Sequence, residues 1–384
     1  MNVVIVGGGI LGTMHAVEAR RRGWRVVQLD VDAEPQSSSV RGLGVIDVSS
    51  AAPGLALDLA LRAREGWESL ARRAPGVGFR ATGSITLAAD DAQRRVIAQV
   101  LQRDDAERRG LRGVTAKEVG AINPSIRGVN QGGVFCRTDA IIEPRRTLEA
   151  LRRYLQADAG YRFLGGRTAW EVGTGVVHDT TGRSHRGDLV LVCPGARQAS
   201  LSSELLHGAP LRQVRSLVAQ TGPYGERLST IVDDGETMRR RPGFDVPARA
   251  SLPEPIPVAT EFHAHLSCAP RVSGALTFGT THEYEQPFTF DLSDRAVDHL
   301  ADRLQHHLSG SPGRIVRRWE SVYHECTDDR LWFRDMVSDD VLVVTGAGAS
   351  SLTLAPAVAE DTFDWLAGGI DSQASAPSID RVAN

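Results

Sequence analysis

Gly7, Gly9 and Gly12 stand in the spacing G-x-G-x-x-G, directly after an apolar run at 3–6 and before an alanine- and arginine-rich segment. In such a turn the first glycine permits the tight reversal and the second lets backbone approach a pyrophosphate. The third lets helix pack on strand. A helix N-terminus there offers unpaired N–H groups and partial positive charge to phosphates. Asp30 lies eighteen residues beyond Gly12, where a carboxylate can accept hydrogen bonds from a ribose and disfavours a 2′-phosphate. The chemistry indicated is binding of FAD or NAD, and the motif by itself leaves that pair open.

Two further segments bear on the choice. "SSSVRGLGVI", shortly after Asp30, is a small-residue stretch where backbone could approach a large planar cofactor. "GAGASSLTLAP" is a second glycine turn leading into a helix, with too little chain after it for another dinucleotide domain. Its helix N-terminus is therefore expected to return to the same cofactor. For an anionic substrate the arginine candidates are Arg41, Arg215, Arg330 and Arg334, with Arg41 favoured because its surroundings should face the cofactor. The histidines at 263, 265, 282 and 324 fall in the expected substrate region, and His282-Glu283-Tyr284 at a strand end is the preferred cluster.

The elements that must position these residues are legible as alternating strands and helices. A strand at 3–6, a helix from about Ile10 to Arg22 stopped by Gly23, and a strand "RVVQLDVD" form a βαβ unit. "LALDLALRAREGWESLARR" has apolar residues at helical spacing, "RATGSITLA" reads as a strand, and "DDAQRRVIAQVLQRDDAERRG" reads as an amphipathic helix. A further helix begins near Pro144, and "DLVLVCPGA" is a buried strand ending in a turn. From about 208 to 330 the chain is richer in proline and β-formers, which suggests an antiparallel sheet. The fold class expected is α/β: a Rossmann-like FAD-binding domain with an interleaved antiparallel-sheet substrate domain. Residues 1–80, 140–205 and 330–369 would form the first, 81–139 and 206–329 the second, and 370–384 a loose C-terminal tail.

The 384 residues carry a net charge of −3 and 24% charged side chains, without the basic excess a nucleic-acid surface requires. Lys117 is the only lysine. Cys136, Cys193, Cys268 and Cys326 are scattered, as free thiols in a reducing cytoplasm would be, and no zinc-type spacing occurs. No apolar run approaches the ~20 residues of a membrane span, so a cytoplasmic protein with no metal is expected.

In order, "VVIVGGGILG", "SSSVRGLG", "GSITLA", "DAIIEPRR", "VLVCPGA", "RWESVY" and "VTGAGASSLTLAP" resemble the D-amino-acid oxidase / glycine oxidase / sarcosine oxidase superfamily of FAD proteins. The resemblance runs from residue 2 to about 366 and implies a GR2-type FAD-binding domain. Through "SVRGLG", "LALRAREGWESLA", "THEY" and "RWESVY" the chain is most similar to a bacterial clade linked to aminophosphonate metabolism. The resemblance implies FAD contacts at Gly7, Gly9, Ile10, Leu11, Gly12 and Asp30, and at Ser38, Ser39, Leu43 and Gly44. It implies others at Ala169, Cys193, Gly195, Gly346, Gly348, Ser350, Ser351 and Leu352. Ser351 stands where the superfamily usually has glycine, which puts the local backbone in question.

Amino-acid-oxidising relatives grip the substrate carboxylate with an arginine where this chain has Tyr323. A tyrosine cannot make the bidentate, charge-assisted contact of a guanidinium, so a simple α-amino acid is disfavoured. Arg41, His282, Tyr323 and Arg330 are the substrate-handling residues expected. Ser321 occupies the place of the flavin-linking cysteine of some relatives, so FAD should be non-covalent. No lysine lies near "GALTFGTT", which leaves O2 or another electron acceptor open. The expected activity is oxidation of a C–N bond of a small anionic amine, an aminophosphonate or its N-methyl derivative. The alternatives are a glycine/sarcosine-type oxidase and a flavin-binding subunit of a heteromeric dehydrogenase.

Overall fold

The valine-rich start of the chain becomes the third strand from one edge of the sheet that organises the molecule. In the computed structural model, which describes residues 1–127, 130–196 and 200–368, Asn2–Val6 pairs in parallel with Arg25–Asp30 on one side and Leu189–Val192 on the other. The six-stranded order is completed by Tyr161–Gly165 beyond Arg25–Asp30, and by Val341–Thr345 and the antiparallel Phe333–Ser338 beyond Leu189–Val192. Val3, Val4 and Ile5 are buried, as an apolar run covered on both faces requires. The first helix, Ile10–Arg21, ends just before Gly23, whose φ of 78° is the left-handed turn that closes it.

A second sheet has eight strands in the order Ile315–Cys326, Leu211–Pro223, Ala275–Gly279, Ser267–Pro270, Ile231–Asp233, Ser84–Leu87, Gly133–Cys136, Leu111–Val114. All its pairings are antiparallel except Ile231–Asp233 with Ser84–Leu87. Helix Asp294–His307 buries Val297, Leu300 and Leu304 at helical spacing, in one cluster with Leu266 and Phe278 of this sheet's region.

The helix expected over 90–110 stops at Leu101, and Leu111–Val114 is a strand. Tertiary contacts override its charged second half. Arg109 is fully buried, paired with Asp105 at 2.8 Å, and donates to the Ala51 carbonyl at 2.7 Å. The segment expected as a loose tail, 370–384, lies outside the described residues.

The closing helix, Ser351–Ala367, carries Pro356 inside it. Proline has no N–H for the carbonyl four residues earlier, that of Leu352. The buried Trp67 indole supplies the missing donor, Nε1 to Leu352 O at 2.9 Å. Trp67 comes from helix Leu55–Arg73, where Gly66 lets the backbone approach: a Cβ there would lie 3.0 Å from Pro356 Cβ. Trp67→Phe is expected to lose about 1–3 kcal/mol in thermal or denaturant unfolding, because it strands a buried carbonyl. Pro356→Ala in the same chain should return part of that loss.

Candidate active site

Two adjoining cavities occupy the space between the sheets, of about 700 and 340 Å³. Ile10, Ser38, Ser39, Tyr323 and Ser351 line both, so they form one continuous space. The larger cavity sits on the glycine turn. Gly7 has φ 115°, and a Cβ there would run into the Cys193 carbonyl oxygen; one on Gly12 would run into that of Gly7. Gly9 takes the N-cap position with no side-chain cap. Among the described residues no carbonyl accepts from the N–H groups of Leu11 or Gly12, and both residues line the cavity. A helix N-terminus with free donors and no Cβ in the way fits a pyrophosphate.

Asp30 lines this cavity and accepts from the Gly8 N–H and, at 2.8 Å, from the Asp32 N–H; burial holds its carboxyl above the usual range. Ser39 Oγ accepts from the Ile10 N–H at 2.9 Å, tying the "SSSVRGLG" segment to the helix start. Ala169, Cys193, Gly195 and Gly346 complete the expected set in the larger cavity, and Leu43, Gly44, Gly348, Ser350 and Leu352 lie in the smaller chamber. Gly44, at φ 69°, has the Ile142 carbonyl oxygen 2.7 Å from where a Cβ would stand. Ser351 needs no glycine: its φ of −50° and ψ of −42° are helical, and its Oγ donates to the Gly348 carbonyl at 2.7 Å. The partial positive charge of the closing helix's N-terminus is thus presented to the chamber through Ser351 and Leu352.

The family model described as "FAD dependent oxidoreductase" (DAO) matches residues 2–365. The chain belongs to this family of FAD-dependent oxidoreductases. No curated protein sequence matches it. Among solved structures it is similar to glycine oxidase from Geobacillus kaustophilus, at 18% identity over 95% of this chain and 94% of that one, with a TM-score of 0.76. It is also similar to iminodiacetate oxidase from Chelativorans sp. BNC1, at 19% identity over 99% and 98% of the chains, TM-score 0.73. A third, dithionite-reduced L-α-glycerophosphate oxidase from Mycoplasma pneumoniae with FAD bound, gives 16% identity over 99% and 96%, TM-score 0.73. These three likenesses concern the fold. FAD is the cofactor of this family member, and the glycine cradle described above fits its diphosphate.

The expected substrate residues divide. His282 and Tyr323 line the chamber. Arg41 lines only the larger cavity, where its Nε donates to the Gln36 carbonyl at 2.7 Å and its Nη1 to that of Glu320 at 3.2 Å. Arg330 lines neither cavity: it pairs with Asp328 at 2.8 Å and lies over the Phe333 ring. Arg215 is spent on Glu283 at 2.6 Å and Arg334 on Asp361 at 2.7 Å. Carboxylates neutralise these three: Asp328 is a neighbour of Arg330 in the chain, whereas Glu283 and Asp361 are distant in sequence from Arg215 and Arg334. The His282-Glu283-Tyr284 cluster also separates: Glu283 holds Arg215, and Tyr284 lies under the Arg212 guanidinium, 4.1 Å from Cζ.

Sequence reasoning missed Arg240 and Arg241, which line the chamber with His265. Arg241 is held by Asp233 through two bonds of 2.8 and 2.9 Å and lies 3.6 Å from Asp47. Arg240 has no hydrogen bond or ion pair from its guanidinium to any described residue. The run "TMRRRPG" was the only signal, and in an arginine-rich chain it does not separate the locked arginine from the free one. His265 and His282 stack at 5.5 Å with an 11° interplanar angle, and the Nδ1 of each is buried without a partner among the described residues. Burial, then the charge of Arg240, pushes His282 down to about 4; burial lowers His265 as well. Burial lifts the unpartnered Tyr323 hydroxyl well above its usual value. Among the described residues no group of three or more His, Cys, Asp or Glu side chains could hold a metal ion, and no helix is long and apolar enough to cross a membrane.

These groups fix a pH dependence. His15, His282 and His307 are each pushed from 6.5 to about 4 by burial, so the unfolded chain takes up their protons first as pH falls. Their contribution to stability is intact above pH 6.5 and is lost progressively down to pH 4. Asp139, raised to about 6 by burial and by the charge of Asp47, acts oppositely between 6 and 3.8, because the folded form binds its proton first. The three histidines outweigh Asp139, and His265 and His324 are shifted in the same direction as those three. The melting temperature should fall by about 5 °C between pH 7.5 and 5.5, as read by differential scanning fluorimetry.

Proposed function

We propose that this flavoprotein oxidises the C–N bond of a small amine that carries an anionic group. Within that class we favour an aminophosphonate or its N-methyl derivative. The observation that carries the reading is the chamber itself. It opens onto the diphosphate cradle, is bounded by Thr280 and the sheet residues Ser216, Val218 and Ser321, and holds neutral imidazoles and one guanidinium without an ion pair to any described residue. When bound, FAD would supply the acceptor for the hydride equivalent, two electrons with one proton, that leaves carbon when an amine becomes an imine, the second proton leaving from nitrogen.

The chain's own residues do the rest. Leu331, Val218, Ala51 and Ala52 give the chamber apolar walls that exclude water from the reacting C–H. The substrate nitrogen must be unprotonated, and the neutral His265 and His282 rings offer it acceptors. The positive end of the closing helix favours negative charge on a ligand beside Leu352. Arg109 steadies one wall by donating to the carbonyls of Val48, Ser49 and Ala51.

The test is anaerobic bleaching of the purified flavoprotein with aminoethylphosphonate, its N-methyl derivative, aminomethylphosphonate, glycine and sarcosine, followed by mass identification of the carbonyl product. Bleaching by a phosphonate is expected. Bleaching by glycine or sarcosine alone would overturn the phosphonate preference, and no bleaching by any amine would overturn C–N oxidation.

A further inference from the structure

We propose that Arg240, flanked by His265 and His282, is the site that recognises the substrate's oxyanion, a carboxylate or a phosphonate. The proposal rests on the reading that the chamber binds an anionic amine. Three observations carry it. First, the cationic side chains of the chamber lining are Arg240 and Arg241, and they are opposites: Arg241 is neutralised by Asp233 and Asp47, whereas Arg240 keeps its donors free. A half-buried guanidinium with no partner retains the full capacity for bidentate, charge-assisted bonds to an oxyanion. Second, the carboxylates that could compete are engaged. Glu236 is held by Arg239 at 2.8 Å, and Asp47 accepts from Ser49 Oγ and the Ser50 N–H at 3.0 Å each. Third, two buried imidazole Nδ1 atoms, of His265 and His282, have no partner among the described residues, and both residues line the same chamber as Arg240, where a bound ligand could pair with them.

The backbone that carries Arg240 is pinned at both ends. A Cβ on Gly235 would run into the Gln93 side-chain amide, and one on Gly243 into the Ser49 carbonyl oxygen. The Gly243 N–H donates to the Ser50 carbonyl at 2.9 Å, and Arg103 donates to the Gly243 carbonyl at 3.0 Å. This strap therefore rides on the same 47–51 loop that walls the chamber, which holds the guanidinium in place before any ligand arrives. Burial, with a smaller contribution from the charge of Arg240, keeps both imidazoles neutral, so they place polar ring nitrogens beside the guanidinium without adding a second cation.

The experiment titrates the holoprotein with methylphosphonate and, separately, acetate. It follows the perturbation of the flavin absorbance band and the shift in melting temperature; neither readout needs turnover. At least one anion should bind, and Arg240→Met should weaken it about tenfold or more, with Arg240→Lys recovering part of the loss. Flavin content should be unchanged in both variants. A preference for methylphosphonate supports a phosphonate substrate, and one for acetate supports a carboxylate; each is consistent with the Arg240 site. Unchanged affinity in Arg240→Met, or failure of both anions to bind the native protein, overturns it. Anion binding without bleaching by any amine would leave this site standing and remove the amine-oxidation reading. Bleaching that is indifferent to Arg240 would do the reverse.

Discussion

Gly12→Ala should purify with less than about a tenth of the native flavin, and with a stability loss of at least about 1–3 kcal/mol from overpacking. The added methyl meets the backbone carbonyl of Gly7, and no rotamer change can relieve a clash between two main chains. The first helix must withdraw from the first strand, and its N–H groups at Leu11 and Gly12 move with it. Gly9→Ala separates the two effects. Its backbone is ordinary extended, with φ −71° and ψ −173°, and its Cβ would meet only Ser39 Oγ at 3.3 Å. That variant should keep a near-native melting temperature while losing flavin affinity, because the methyl stands where the diphosphate approaches. The flavin-to-protein absorbance ratio after gel filtration, read beside the melting curve, checks both. Full flavin occupancy in Gly12→Ala would contradict the packing described.

Arg241→Met should be among the most destabilising single changes in the chamber wall, costing about 3–5 kcal/mol. Asp233 is fully buried and receives two of its hydrogen bonds from this guanidinium; deleting the cation leaves a carboxylate with neither water nor counter-charge. Asp233→Asn in the same chain should recover a large part of the loss, since removing both charges is far cheaper than removing one. Arg240→Met, one residue away, should change stability by no more than about 0.5 kcal/mol, as expected for a side chain with no partner to lose. Urea or thermal unfolding of the four proteins measures the contrast. Equal losses for Arg240→Met and Arg241→Met would mean that the two guanidiniums do not differ in the way the structure shows.

That the chain takes an FAD-type cofactor could be read without coordinates, because the signal is local. Gly7, Gly9 and Gly12 act through their own φ angles and their missing Cβ atoms, the helix follows at once, and Asp30 ends the next strand; all of it lies within thirty residues. The same holds for the α/β class, since strand and helix periods are written in consecutive residues. Ser351 shows the limit of even that reading: the doubt about its backbone vanished once the position proved helical. The substrate half was another matter. Arg215, Arg330 and Arg334 are arginines the sequence offers for an anion while Arg240 passes unnoticed, and what separates them is that a carboxylate stands beside each of the three in the fold. Glu283 is 68 residues from Arg215 and Asp361 is 27 from Arg334, so ion pairing depends on which strands and helices meet. Arg41 lies in the larger cavity and not in the chamber, its guanidinium drawn to the backbone carbonyls of Gln36 and Glu320. Backbone conformation is a short-range property and can be inferred from neighbours in the chain. Whether a charge is free or cancelled falls off with distance through space, and only the folded chain sets that distance.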